Sequence, residues 1–179
     1  EHVEYVKTAA RAGRIVYASN HRSHTDYLVE PLVLDDNGIR PPIIAAGINL
    51  FGGPLGLLHR HVTGALPIRR NTKDPVYLIT LKAYVAEMLR AHDFFFYPEG
   101  GRSYSGEMKS PKTGLMHAAL QAEHSHVSII PTAVAYDVVL EDHVLARQRV
   151  KRVQRAFSRE LAEMVRYAVG YKSRAYVTF

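Results

Sequence analysis

Cysteine is absent from all 179 residues. That removes thiol nucleophiles, thiolate metal sites and any disulfide framework, and it fits a reducing compartment. No basic segment followed by a short apolar stretch opens the chain, so no secretory leader is in view. Acidic charge is in short supply: 17 Asp and Glu face 23 Lys and Arg, a formal net charge of +6. Such an excess points to an anionic partner, whether nucleic acid, a phosphorylated small molecule or an anionic membrane surface. Long uncharged runs are scarce as well. The one that nears the length of a membrane span, 41–58, is broken by Pro41, Pro42 and Pro54 and by Gly47, Gly52, Gly53 and Gly56. Those residues defeat a continuous helix, and the run reads as a strand, an apolar loop and a short helix. There is no internal repeat and no low-complexity linker. The chain starts at Glu1 without Met and stops in the strand-like AYVTF, which gives the expectation of a fragment of a longer chain.

What is present is an ordinary globular composition, 47% apolar and 22% charged, in a length that suits one domain over 1–179. Apolar runs predict strands at 15–19, 42–46, 65–68, 94–97, 128–136 and 175–179. Helices are predicted between them at 1–12, 25–34, 54–61, 75–91, 114–123 and 142–167. The second is closed by the turn Asp36-Asn37-Gly38, and the fourth opens with Asp74 as N-cap and Pro75 at the first helical position. This alternation predicts an α/β domain, a mixed and largely parallel central sheet flanked by helices on both faces. Ligands of such sheets sit at the loops leaving the carboxyl ends of strands.

Four stretches at those ends carry chemistry. SNHRSHTDYL places His21, Arg22, His24 and Asp26 directly after an apolar run. His21 and Asp26 are five apart, so they would face away from one another on an unbroken helix. They meet if His21 occupies the turn and Asp26 the first helical turn, reaching back. Asp26 would then fix the tautomer of His21 and leave its other ring nitrogen as a base. A second reading makes His21, His24 and Asp26 metal ligands, with His59 and His61 in reserve and no HExxH motif in support. A third is a polar turn in which Ser23 caps the next helix and the histidines are solvated. GALPIRR ends an apolar tetrad in Arg69 and Arg70, and arginine grips phosphate bidentately; a plain exposed rim is the alternative. FFFYPEGGRSYSGEMKSPKTG joins buried aromatics to Glu99, Gly100, Gly101, Arg102 and Ser103, with Lys109 and Lys112 following. The paired glycines permit a sharp turn with backbone N–H groups near a ligand. Neither a P-loop nor a nucleophile elbow is present, since no GK[ST] follows and Ser105 stands where the second glycine of G-x-S-x-G belongs. SIIPTAVAYD reads as a core strand whose Pro131 marks an edge or a bulge.

Taken in order, NHRSHTD, GALPIRR, YPEGGRS and IIPTAVAYD are similar to the four motif blocks of the glycerolipid acyltransferases, over about 15–137. The chain resembles the bacterial glycerol-3-phosphate acyltransferases and their dihydroxyacetone-phosphate relatives. EGGRS rather than EGTRS, the HRSHTDY form of the first block, AGINL and SPKTG favour that branch over the lysophosphatidate enzymes. GALPIRR departs from the family's GAFFIRR at Leu66 and Pro67 and keeps both arginines.

The resemblance implies a glycerolipid acyltransferase domain that moves a fatty acyl group from an acyl thioester, acyl-CoA or acyl carrier protein, to the sn-1 hydroxyl of glycerol 3-phosphate. It favours the dyad, with His21 as general base and Asp26 as its orienter. By the same carry-over Gly64, Arg69, Arg70, Glu99, Gly100, Arg102 and Ser103 bind the acceptor, with Arg70 and Arg102 on the phosphate and Glu99 paired with an arginine or a glycerol hydroxyl. Pro131 belongs to the acyl-donor side. No cofactor and no metal is implied, and the expected partners are the two substrates and an anionic membrane surface, on the cytoplasmic side of the cell membrane. The apolar stretch 48–58 is a candidate for membrane contact or an acyl channel, with plain core as its alternative. The alternatives are a lysophosphatidate, other lysophospholipid or dihydroxyacetone-phosphate acceptor and, from another class, a metal-dependent hydrolase using His21, His24 and Asp26. A lipid-binding module without catalysis is a further one. Nucleic-acid binding is disfavoured, because the basic residues interleave with acids and no aromatic-basic recognition pattern occurs.

Overall fold

The computed structural model describes residues 2–52, 56, 64–103, 105–122, 126–139 and 173–179. Among them the strands are β1 Arg14–Ser19, β2 Ile43–Gly47, β3 Leu66–Ile68, β4 Phe94–Phe96, β5 Val127–Tyr136 and β6 Ala175–Thr178. The helices are α1 His2–Ala12, α2 Asp26–Asp36, α3 Pro75–Met88 and α4 Gly114–Leu120, with a 3₁₀ turn at Ile48–Phe51. The strands form a sheet ordered β3-β2-β4-β1-β5-β6, in which every neighbouring pair is parallel except the antiparallel β5–β6. This is the mixed, largely parallel sheet that the sequence predicts. The predicted helices at 54–61 and 142–167 lie outside the described residues, apart from Gly56.

The aromatic run explains the centre of the sheet. β4 lies between β2 and β1 with both faces covered, so it is apolar at every position rather than at alternate ones. Period-two alternation sends Phe94 and Phe96 to one face with Val16, where Val85, Met88 and Leu89 and then Ala118 and Ala119 of α4 cover them. Phe95 goes to the other face with Ile15 and Tyr17, against Val6 of α1 and Leu34 of α2. Burying a phenylalanine ring this fully is worth about 1.5–3 kcal/mol.

Asp93 sets the register at the amino end. Its Oδ1 accepts the Ile15 N–H at 2.9 Å and its Oδ2 accepts from Arg40 Nε at 3.2 Å. Arg40 also donates to the carbonyls of Ala10 and Gly13, which ties α1 to the start of β1.

Capping follows the predicted chemistry. Asp74 accepts from the N–H groups of Val76 and Tyr77 at the start of α3. Gly38, at φ 71°, turns the chain out of α2 while Ile39 N–H bonds back to the Leu34 carbonyl. Four elements end short of their predicted bounds, the helix from Gly114 at Leu120 and β6 at Thr178 among them. β4 stops at Phe96, because the Tyr97 carbonyl takes the Gly100 N–H in a turn instead of a ladder bond. α3 stops at Met88, whose carbonyl accepts both Ala91 and His92 N–H groups.

Pro131 is tolerated in β5 because its missing N–H has no ladder to serve. The next residue, Thr132, aims its carbonyl at β1 and accepts from Asn20 N–H at 3.4 Å, so Pro131 faces the opposite edge. There β6 reaches only Ala133–Tyr136 of β5, and Pro131 stands past its end, the edge position that the sequence suggests. Among the described residues no helix is long and apolar enough to cross a membrane.

Candidate active site

The parallel strands bring Ser19, Gly47, Ile68 and Phe96 to the same rim of the sheet, and the loops leaving Ser19, Ile68 and Phe96 carry three of the polar stretches. His21 lies two residues beyond β1, and Asp26 is the first residue of α2. His21 Nδ1 is 2.8 Å from Asp26 Oδ2, so the aspartate does reach back from the first helical turn. That same oxygen accepts the N–H groups of Arg22 at 2.7 Å and Ser23 at 2.9 Å. The other oxygen, Oδ1, accepts the Tyr136 hydroxyl at 2.7 Å, and Tyr136 is itself bonded to Thr25 Oγ1 at 3.0 Å. The polar-turn alternative therefore does not describe this corner: Asp26 is fully buried, and the side chain of His21 is only 12% exposed. Ser23 Oγ accepts the Thr25 N–H and does not cap α2.

Burial pushes the His21 ring below the ordinary histidine range; the Asp26 hydrogen bond and charge pull the other way, and the charges of His24 and Arg102 add to the lowering. The ring is thus neutral at pH 7. With Nδ1 committed to Asp26, Nδ1 carries the hydrogen and Nε2 the lone pair, and Nε2 takes no hydrogen bond from a described residue.

Glu99 braces this corner against the loop after β4. Its Oε1 accepts the His21 N–H at 3.1 Å and its Oε2 the Lys109 N–H at 3.0 Å. Through these two backbone amides the buried carboxylate holds two of the motif stretches together. Ser103 does similar work: its N–H donates to the His21 carbonyl at 2.9 Å, while its hydroxyl turns to the Glu107 carbonyl at 2.6 Å. Gly100 is needed for its conformation, since at φ 67° its open side carries the stem of Lys112, which a Cβ would meet at 3.2 Å. Arg102 is buried close enough to His21 for its charge to act on the ring.

The two arginines after β3 diverge. Arg69 lies with its guanidinium carbon 5.4 Å from the centre of the Tyr77 ring, and its N–H donates to the Tyr77 hydroxyl. Arg70 lies instead across Gly47, where a Cβ would meet its Nε at 2.8 Å, so the glycine ending β2 makes room for it. Lys112 Nζ spans the gap from the loop after β4 to Asn71 Oδ1 at 3.4 Å. Gly64, at φ 57°, is exposed at the entry to β3, and Pro131 is exposed on β5.

Sequence reasoning passed over three side chains. Tyr97 stacks on the His21 ring with centroids 4.1 Å apart and planes 15° from parallel. Tyr136 holds Asp26, and Asn20 clips β1 to β5 by bonding both the N–H and the carbonyl of Val134. Tyr97 opens one motif stretch and Tyr136 stands next to the end of another, so their place beside polar chemistry was the available signal. Among the described residues no group of three or more His, Cys, Asp or Glu could hold a metal ion, and His59 and His61 lie outside them.

A family model described as Acyltransferase matches residues 2–135. The glycerol-3-phosphate acyltransferase of Haemophilus influenzae (strain PittEE) is 42% identical over 148 residues, covering 79% of this chain and 18% of that protein. The glycerol-3-phosphate acyltransferase of Haemophilus ducreyi is 35% identical over 179 residues, covering 97% of this chain and 22% of that protein. The chain thus spans about a fifth of the length of the curated relatives it matches. A solved 1-acyl-sn-glycerophosphate (LPA) acyltransferase from Thermotoga maritima is 16% identical, covers 74% of this chain and 57% of that one, and superposes with a TM-score of 0.46.

Proposed function

The chain belongs to the acyltransferase family, and from that premise we propose that it moves a fatty acyl group from an acyl thioester to the sn-1 hydroxyl of glycerol 3-phosphate. The observation that carries the reading is the 2.8 Å contact of a largely buried, neutral His21 with the fully buried Asp26. It leaves a basic ring nitrogen at the carboxyl rim of the sheet with its tautomer fixed.

The sn-1 hydroxyl gives its proton to His21 Nε2 as its oxygen attacks the thioester carbonyl. The tetrahedral adduct then collapses, the carbon–sulfur bond breaks, and the departing thiolate takes the proton back from the ring. Asp26 stabilises the imidazolium between these steps. General-base help of this kind is worth ~100- to 10,000-fold. Arg70 and Arg102 hold the acceptor phosphate, and Lys112, on the bridge between their loops, adds a third cation. Gly100 keeps its loop close, and Gly64 lets the chain turn into β3. Arg69 serves the site at second hand, through Tyr77. Pro131 marks the acyl-donor side of the sheet. Acyl-CoA or acyl carrier protein supplies the acyl group, no metal takes part, and the enzyme works at the anionic cytoplasmic face of the cell membrane as a single catalytic domain of a longer chain.

The test is thiol release from palmitoyl-CoA by the full-length protein, with and without glycerol 3-phosphate, with lysophosphatidate and dihydroxyacetone phosphate as competing acceptors, and in EDTA. Release that requires glycerol 3-phosphate, yields 1-acyl lysophosphatidate and ignores EDTA is the expected result. Preference for lysophosphatidate would move the chain to the other branch. Acceptor-independent release abolished by EDTA would point to metal-dependent hydrolysis.

A further inference from the structure

Asp26 is not the only carboxyl buried on α2. Glu30 lies one turn further along the same face, fully inaccessible to solvent, in a helix that otherwise offers Leu28, Val29, Leu32 and Val33 around it. A buried carboxyl is costly where an apolar residue would pack. Here it has two partners: its Oε1 shares a hydrogen bond with the Ser19 hydroxyl, and the Tyr97 hydroxyl donates to Oε2 at 2.9 Å. Tyr97 in turn presses its ring flat against His21 at 4.1 Å.

We infer that Glu30 and Tyr97 are positioning residues that clamp the plane of the His21 ring. This rests on the acyl-transfer reading only for its kinetic consequence. The terminal torsion of histidine is broad, and one hydrogen bond at Nδ1 does not by itself stop the ring from rocking about that torsion, which swings Nδ1 off Asp26 and lets the tautomers mix. A stacked face removes the rocking, and the Glu30 bond keeps the stacked ring from sliding. The clamp reaches His21 by a route separate from Asp26, from α2 through Glu30 to the residue following β4.

The electrostatics suit a neutral clamp. Burial pushes Glu30 up to about 8 and the nearby Asp26 charge pushes the same way, while the Ser19 and Tyr97 hydrogen bonds pull it down. At pH 7 Glu30 therefore keeps its proton, so its own O–H donates to the Ser19 hydroxyl while Tyr97 donates to the other oxygen, and Glu30 adds no second negative charge beside Asp26. Burial raises the Tyr97 phenol well above its ordinary range, so it stays protonated.

The experiment compares the full-length wild type with Tyr97→Leu, Tyr97→Phe, Glu30→Leu and Glu30→Gln in steady-state acyl transfer, together with the imidazole nitrogen NMR shifts of His21. A misplacement near 1 Å costs up to ~100-fold, so Tyr97→Leu and Glu30→Leu should lose about 10- to 100-fold in kcat with either KM within about twofold. Glu30→Gln, uncharged and still able to bond both hydroxyls, should recover most of that loss. In the NMR spectrum the wild type should hold the Nδ1–H tautomer and the leucine variants a mixture. Should a leucine variant fail to fold, Tyr97→Phe carries the test, with a loss of ~3- to 10-fold in kcat. Wild-type kcat in Tyr97→Leu, or in both Tyr97→Phe and Glu30→Leu, would overturn the clamp, as would an unchanged His21 tautomer in folded leucine variants. A wild type without acceptor-dependent release would instead overturn the acyl-transfer reading, and the tautomer measurement would still decide the clamp.

Discussion

In the corner between β1 and α2, Asp26 accepts from four donors, and His21 is fixed through Nδ1, its N–H, its carbonyl and one face of its ring. On the rim after β3, Arg69 and Arg70 are exposed, the first against a tyrosine ring and the second across a bare glycine. Under the acyl-transfer proposal the two regions answer different demands. A base must meet a hydroxyl within a fraction of an ångström, and that precision needs a rigid, buried frame. A guanidinium holds phosphate through charge and a fork of donors, and long side chains can adjust to it from an open rim.

The contrast can be broken from the corner first. His21→Ala or Asp26→Asn should lower kcat by ~1,000- to 10,000-fold, since an amide in place of the carboxylate favours neither the same tautomer nor the imidazolium; initial rates of thiol release measure this. Next in size is Arg70→Ala, which should raise KM for glycerol 3-phosphate by ~10- to 100-fold while kcat stays within a few-fold. Arg69→Ala should raise it only about two- to threefold, because that guanidinium is already spent on Tyr77. If Arg70→Ala lowered kcat as far as Asp26→Asn does, the division between rigid corner and compliant rim would be wrong.

The smallest effect is on stability. Folded Glu30 holds its proton up to about 8, against 4.5 for a free glutamate. Its contribution is therefore complete below about pH 4.5 and is lost as pH rises through about 8, a loss on the order of a few kcal/mol. Denaturant titrations between pH 5 and 8 should show this decline in the wild type and a flatter one in Glu30→Gln.

Much of the corner was legible in the sequence because it is local. His21 and Asp26 stand only five positions apart, and the only geometry that joins them is a turn running into a helix. The sheet was legible for a similar reason, since apolar runs alternate with capped helical stretches such as Asp74-Pro75. The role of Glu99 was not, because it depends on His21 and Lys109 amides brought together by folding. Nor was the stacking of Tyr97, which requires that β4 end at Phe96 and lie beside β1. Arg69 and Arg70 look alike in sequence and part only when Tyr77 and Gly47 are placed. Glu30 left a faint trace, a single acid on an apolar face one turn after Asp26.

The most direct measurement follows one group by two methods in the same full-length protein: the His21 imidazole by NMR titration, and the acid limb of kcat/KM for acyl transfer to glycerol 3-phosphate. If His21 is the base, the two midpoints coincide below 6.5, the ordinary value from which burial lowers the ring. An acid limb that departs from the His21 titration, or that survives in His21→Ala with substantial activity, would contradict it.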